Sequence, residues 1–476
     1  MTGPSRLSLR VKLSYGLGEM AEGVKSAALE TFLFFYYVQV LGLSGSLTGL
    51  ALLVAVLIDA VSDPLIGHLS DNLRSPLGRR HPFLYLAPLP LGLSMVLLFA
   101  PPNGLSQGGL FVWLLGFTAV SRLMQSCYFV PHMALGADLA QDYGDRVAVS
   151  GWRNAFAYLG RLLVLGVAFS IFFRPSEAYP DGQLDASAYA PLAMTCAAIA
   201  GSAILLSAIG TQRRAIAMDA ELGRSGERPP ARLLGHIANA FRLRAFTIFF
   251  IANLVSYVLS GVQAALSIHM MTYYWRLPPQ GIQWVLSALT IGVLVGSLFV
   301  RPVAERWDKK QLLVASVVAS VAIATLPIFL AEAGILPLHD KDRLIPILFG
   351  FLFLAGLSGG AALVLPGAML ADIADAYEHR FGGRIEGFVY GASAFTRKAA
   401  LGFGGAISGF ALDLIRFPRG VSPTDVDRST VLDLALLYGP AMLALTIVAM
   451  AIMWRYPLSR KRHEEIMRDL SSAGNP

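Results

Sequence analysis

The sequence predicts an all-α membrane protein of twelve transmembrane helices in two six-helix bundles. Composition, the recurrence of apolar runs and an internal repeat carry this reading. Of 476 residues, 55% are hydrophobic and 14% charged, with a mean hydropathy of +0.59. A soluble domain carries roughly 25% charged residues. The solvent for most of this chain is therefore lipid.

A helix needs roughly 20 apolar residues to span the hydrocarbon core. Runs of that kind predict spans at 26–43, 46–70, 82–100, 108–140, 147–173, 189–211, 245–273, 281–301, 311–330, 343–375, 386–415 and 432–455. The N-terminal MTGPSRLSLRVKLSYG carries no signal-peptide pattern. Cys127 and Cys196 both fall within spans, which excludes a disulfide scaffold and a cysteine metal site.

The net charge of +7 reflects topology rather than nucleic-acid binding. Arg74, Arg79, Arg80 and His81 follow the second span, Arg306, Lys309 and Lys310 the eighth, and Arg460, Lys461 and Arg462 the last. The loops around Leu43 and Gly104 have no Lys or Arg. By the positive-inside rule both termini are expected in the cytoplasm, in a multi-pass protein of the inner membrane.

The longest polar interruption, 212–244, contains Pro229 and Pro230. It divides the chain into a bundle over 1–211, a cytoplasmic linker, a second bundle over 245–456 and a cytoplasmic tail over 457–476. PHMALGADLAQDYGDR, from Pro131, and PGAMLADIADAYEHR, from Pro366, share a proline, a small apolar run, an aspartate and Tyr-x-x-Arg. They close the fourth span of each half, as a parallel duplication requires. Two alanine-rich helix ends alike by chance are the bland alternative.

Asp59-Ala60-Val61-Ser62-Asp63-Pro64 lies inside the second span. A charge at mid-membrane costs about 2.5–3.5 kcal/mol on insertion scales. Spacing i, i+4 places both carboxylates on one face, about 6 Å apart. Sodium or a proton between them relieves their repulsion, and the Ser62 hydroxyl can add an oxygen ligand. In the competing reading, Asp63 stabilises the helix around Pro64, or both pair with a distant Arg or Lys.

Gly67-His68-Leu69-Ser70-Asp71 and Gly78-Arg79-Arg80 follow at the end of this span. Asp71, Gly78, Arg79 and Arg80 form a loop that resembles the signature of the major facilitator superfamily, whose role is conformational. In the eleventh span, Lys398 lies twelve residues after Glu386, about 18 Å along the helix. At that depth snorkelling is difficult, and a carboxylate partner on the second span is expected. Glu30, Arg122, Arg153 and Arg161 face either a central cavity or one another in salt bridges. Trp152 beside Arg153 suits a sugar ring or an anionic head group. Tyr128 is held as a substrate contact, although tyrosines in spans more often pack. No Walker-type phosphate loop, nucleophile elbow or zinc spacing is present. The chain is therefore read as no enzyme and as not driven directly by ATP.

KLSYGLGE, the Asp59–Asp63 run with DPLIG, the GRR loop, the span-four proline motif and EGFVY…RK occur in an order that resembles the glycoside–pentoside–hexuronide:cation symporters, over residues 12 to 456. The resemblance implies a secondary active symporter that works by alternating access. It gives Asp59 and Asp63 the role of cation ligands, with sodium or a proton as coupling ion and no other cofactor. Ser126 matches a hydroxyl at that site, Lys398 a lysine that approaches it, and Arg153 an arginine near the sugar. The melibiose permease pattern has an aspartate in span one and another before the span-four proline, where this sequence has Gly23 and Phe129. Its sugar-stacking aromatic falls on Met133. Glu22 or Glu30 is left to substitute. Phe129 and Met133 point instead toward the similar sodium-dependent lysophosphatidylcholine symporters, the alternative reading. A non-translocating receptor is a third, against which stands the short tail. The expected partners are a small-molecule substrate and the bilayer, with the chain acting as a monomer.

Overall fold

The computed structural model describes residues 7–140, 142–222, 233–383 and 385–473. Among the described residues, twelve long helices cross the molecule. They are α1 (9–40), α2 (Gly45–Asn72), α3 (His81–Leu98), α4 (Gln107–Leu139), α5 (143–172), α6 (Tyr189–Leu222), α7 (Arg244–Tyr274), α8 (Pro279–Ala304), α9 (Lys309–Glu332), α10 (Lys341–Phe381), α11 (Glu386–Leu414) and α12 (Arg428–Trp454). Helix is the fold that satisfies every backbone group of a segment in lipid. Ten are long and apolar enough to cross a membrane by length and composition. The other two, α1 and α11, are interrupted by Glu19, Glu22, Lys25 and Glu30 and by Arg397 and Lys398.

The first helix corrects the predicted start at 26. It begins at Leu9, where the Ser8 hydroxyl accepts the Val11 N–H. Charged residues between Lys12 and Lys25 made this stretch look too polar to span, but their partners are inside the bundle. Helix α6 runs past 211 to Leu222, and Leu233–Arg242 forms a further helix; 223–232 lie outside the described residues. The tail is helical over Arg460–Ala473 and docks on the second bundle through His463–Asp375 at 2.9 Å and His379–Asp469 at 3.1 Å.

Helices α1–α6 pack on one another, as do α7–α12. Between the bundles, α2 lies against α11. A Cβ at Gly45, Gly49 or Gly409 would strike the facing backbone, so the helices touch main chain to main chain. At this end the bundles are also joined by hydrogen bonds. Gly45 and Ser46 N–H donate to Asp413 at 3.2 and 2.8 Å. Tyr273 donates to Gln39 at 3.1 Å, Gln183 to Thr272 at 3.0 Å and Ser170 to Gln283 at 2.7 Å. At the end bearing Arg79 and Lys309, polar contacts among the described residues stay within one bundle. The molecule is closed at the Gly45 end and parted at the basic end.

Candidate functional site

Asp59 and Asp63 project from adjacent turns of α2 toward α4. Arg122 and Ser126 sit on α4 at the same i, i+4 spacing and meet them in register. Asp59 is buried, and its Oδ2 accepts from Arg122 at 2.6 Å. Asp63 Oδ1 accepts from the Ser126 hydroxyl at 2.6 Å. Its Oδ2 accepts from Lys398 Nζ of α11 at 2.5 Å. The Ser62 hydroxyl donates to that of Ser126 at 3.1 Å. Each carboxylate thus has its own cationic partner, and Asp63 is held by both bundles at once. An oxygen cluster of Asp63, Ser126 and Ser62 suits a sodium ion or a proton once the lysine withdraws. The Phe129 ring centroid lies 6.0 Å from Lys398 Nζ, within cation–π range.

A second set of ion pairs lines α1. Glu19 accepts from Arg153 at 3.3 Å. Glu22 accepts from Lys25 and Ser26, each at 3.0 Å, and from Gln125. Glu30 pairs with Arg161 at 3.6 Å. At Gly23 a Cβ would sit 2.7 Å from the Ala157 carbonyl carbon. Helices α1 and α5 therefore touch where the melibiose permease pattern has an aspartate. Arg397, next to Lys398, forms no ion pair or hydrogen bond among the described residues and is exposed.

Two of the expected contacts pack against protein in this structure. Trp152 and Arg153 make no joint stacking surface, because consecutive helical residues do not share a face. The arginine turns to Glu19, and the half-exposed indole packs beside Phe156. Tyr128 is fully buried inside the first bundle, stacked on His132 with centroids 5.0 Å apart. Met133 is partly buried on the next turn of α4, and the Glu386 side chain lies outside the described residues.

The loop residues do meet. Gly78 turns the chain at φ +90°, Arg80 donates to Asp71 at 3.1 Å and Arg79 to Asp138 at 2.7 Å. In the second half, Lys309 donates to Asp372 at 2.7 Å. Asp138 and Asp372 are the aspartates of the two similar segments, and each accepts from a basic residue of its own bundle.

A cavity of about 370 Å³ opens among α7–α10 and α12, with Thr31, Arg161 and Leu165 from the first bundle. That volume fits a small organic ligand. Asn253, Ser256, Ser260, Gln263 and Ser267 line it in one stripe along α7. Three of these hydroxyls and the Asn253 amide donate to carbonyls of their own helix. Their acceptor positions and the Gln263 amide are left for a ligand. The sequence reading missed this stripe, although its 3-4-3-4 spacing marks one helical face.

A family model described as MFS/sugar transport protein matches residues 14–460. The putative glycoside/cation symporter YagG of Escherichia coli (strain K12) is 26% identical over 470 residues, covering 98% of this chain and 95% of that protein. The glucuronide carrier protein homolog of the same organism is 24% identical, covering 98% and 96%. A solved D-xylose-proton symporter superposes with a TM-score of 0.62 at 14% identity, covering 95% of this chain and 98% of that one. This last is a likeness of fold.

Proposed function

The chain belongs to the MFS/sugar transport protein family, and from that premise we propose that it couples movement of a sugar, glycoside or related organic solute to a cation by alternating access. The carrying observation is Asp63, which accepts from Ser126 of one bundle and Lys398 of the other. In this reading Lys398 neutralises Asp63 while the carrier is empty. The coupling cation, sodium or a proton, replaces the lysine at Asp63, Ser126 and Ser62. Asp59 and Arg122 remain a pair that fixes α2 against α4, with the Asp59 carboxylate close enough to strengthen the cation's field. Freed from Asp63, Lys398 lets the bundles rock about the α2–α11 contact.

The solute occupies the cavity beside the α7 stripe, where hydroxyl and amide groups match the hydroxyls of a glycoside. The rest of the lining is mainly apolar, with valines, leucines and methionines of α8–α10 and α12, so the stripe supports the glycoside reading and the apolar wall the lysolipid alternative. The symporter name of YagG supports cation coupling. The positive-inside rule places the basic end, and both termini, in the cytoplasm; the cavity then faces inward in this state. Solute uptake into proteoliposomes, with sodium and pH gradients imposed separately, is the test. Wild-type uptake follows one of the two gradients, and Asp63→Asn abolishes that dependence. Equal dependence in the variant would rule the assignment out.

A further inference from the structure

Five carboxylates face inward, each beside a basic residue. Four of these pairs are hydrogen-bonded: Glu19 with Arg153, Glu22 with Lys25, Asp59 with Arg122 and Asp63 with Lys398. The fifth is not. Glu30 and Arg161 stand 3.6 Å apart, partly exposed, beyond hydrogen-bond distance. Neither side chain makes a hydrogen bond among the described residues. Arg161 is also the one charged side chain that lines the cavity among the described residues, and Thr31, next to Glu30, lines it too. Here α1 widens into a π turn over Ala27–Leu33, a rare form that clusters at functional sites. The turn packs against α5 and α7, so the first bundle meets the α7 stripe at this level. On that stripe the Gln263 amide lines the same cavity. Both bundles thus present uncommitted donors and acceptors to one space.

We propose that Glu30 and Arg161 are the first bundle's grip on the transported solute, and that they bracket two of its adjacent hydroxyls. One hydroxyl donates to the Glu30 carboxylate and its neighbour accepts from the Arg161 guanidinium, while Gln263 holds the same molecule from the second bundle. This rests on the reading of the cavity as the solute site, and not on cation coupling. The grip sits seven residues past Gly23 on α1, about 10 Å nearer the closed end. At Gly23 itself the contact with Ala157 of α5 leaves no room for a solute.

While the basic end is open, water fills the free positions of both groups. Occlusion removes that water, and a charged group with unmade hydrogen bonds is costly to bury. A lone hydroxyl satisfies one of the two groups. Adjacent hydroxyls, each both donor and acceptor, satisfy both. The pair carries no net charge, so an uncharged solute completes it. A solute that joins the two bundles in this way favours closure of the loaded carrier over the empty one.

The test uses the full-length protein and calorimetric binding of the methyl β-D-pyranosides of glucose, galactose, mannose and xylose, together with analogues that lack one ring hydroxyl. Wild type should bind at least one pyranoside. Loss of one bracketed hydroxyl should weaken that binding at least roughly tenfold, the worth of a hydrogen bond to a charged group. In Glu30→Gln the penalty for the hydroxyl it holds should largely vanish, and in Arg161→Gln the penalty for its neighbour. A purely structural ion pair would weaken all analogues alike and leave these ratios unchanged, and that result overturns the proposal. So does a wild type that binds none of the pyranosides. Where a Gln variant fails to bind or to melt cooperatively, Glu30→Asp and Arg161→Lys, which keep both charges, decide: they should change the hydroxyl ratios, and unchanged ratios overturn the proposal. Asp63→Asn should remove cation dependence while leaving the ratios as in wild type, so either reading can fail alone.

Discussion

Replacing Lys398 with methionine keeps most of the side-chain volume and removes the cation that holds Asp63. The magnitude follows from exposure: the two side chains are 22% and 30% exposed. A fully exposed pair contributes about 0–1 kcal/mol, whereas breaking a buried one costs about 3–5 kcal/mol. This pair lies between, at about 2 kcal/mol, or roughly a 30-fold change in an equilibrium constant. In wild type the coupling cation must displace the lysine; in Lys398→Met that competition is gone. The half-saturating cation concentration is therefore expected to fall about 30-fold, read by sodium calorimetry and by the pH-dependence of solute binding. A second consequence follows from charge. The empty variant carries an uncompensated Asp63 and cannot easily reorient without a cation. Solute exchange across the vesicle membrane should persist while net uptake falls. Unchanged or weaker cation binding, or net uptake and exchange lost in equal proportion, would refute competition between lysine and cation.

Other expectations concern the gate and the cavity. Asp413→Asn weakens charge-assisted bonds to the Gly45 and Ser46 amides, worth about 1.5–3 kcal/mol; distance measurements across the Gly45 end should show the open form enriched about tenfold or more. Gly409→Val forces a side chain into Gly45, and overpacking costs about 1–3 kcal/mol; uptake should fall while the detergent-solubilised protein still melts cooperatively, and wild-type uptake would count against the α2–α11 contact as a pivot. Gln263→Leu removes the unpaired amide of the α7 stripe; KM for the solute should rise roughly fivefold, for a net hydrogen bond of about 1 kcal/mol, with maximal velocity kept.

The membrane architecture was legible because it depends on sums over long windows. An apolar run reports a span whatever its neighbours do. The same averaging hid the beginning of α1. Lys12, Glu19, Glu22 and Lys25 raise the local polarity; Glu22 and Lys25 pair locally at i, i+3, but nothing nearby in sequence announces the partners of Lys12 and Glu19. Lys12 pairs with Asp145 at 2.6 Å, and Glu19 with Arg153; both acceptors and donors lie more than a hundred residues apart. A buried charge looks prohibitive until its partner is known, so a window average ends the helix where the ion pairs begin.

The site was legible in part for a related reason. Two carboxylates at i, i+4 in an apolar helix demand compensation, which marks Asp59 and Asp63 from the sequence alone. Compensation has several forms, and local spacing does not choose among them. A shared metal ion, a shared proton and two separate cationic partners relieve the same repulsion. Here Arg122 lies 63 residues after Asp59, and Ser126 lies 63 after Asp63, an equal offset that places two parallel helices in register. That offset was available to find the Asp59–Arg122 pair; the Asp63–Lys398 pair, which spans the two bundles, was legible instead from the depth of Lys398 in α11, where a buried lysine needs a carboxylate.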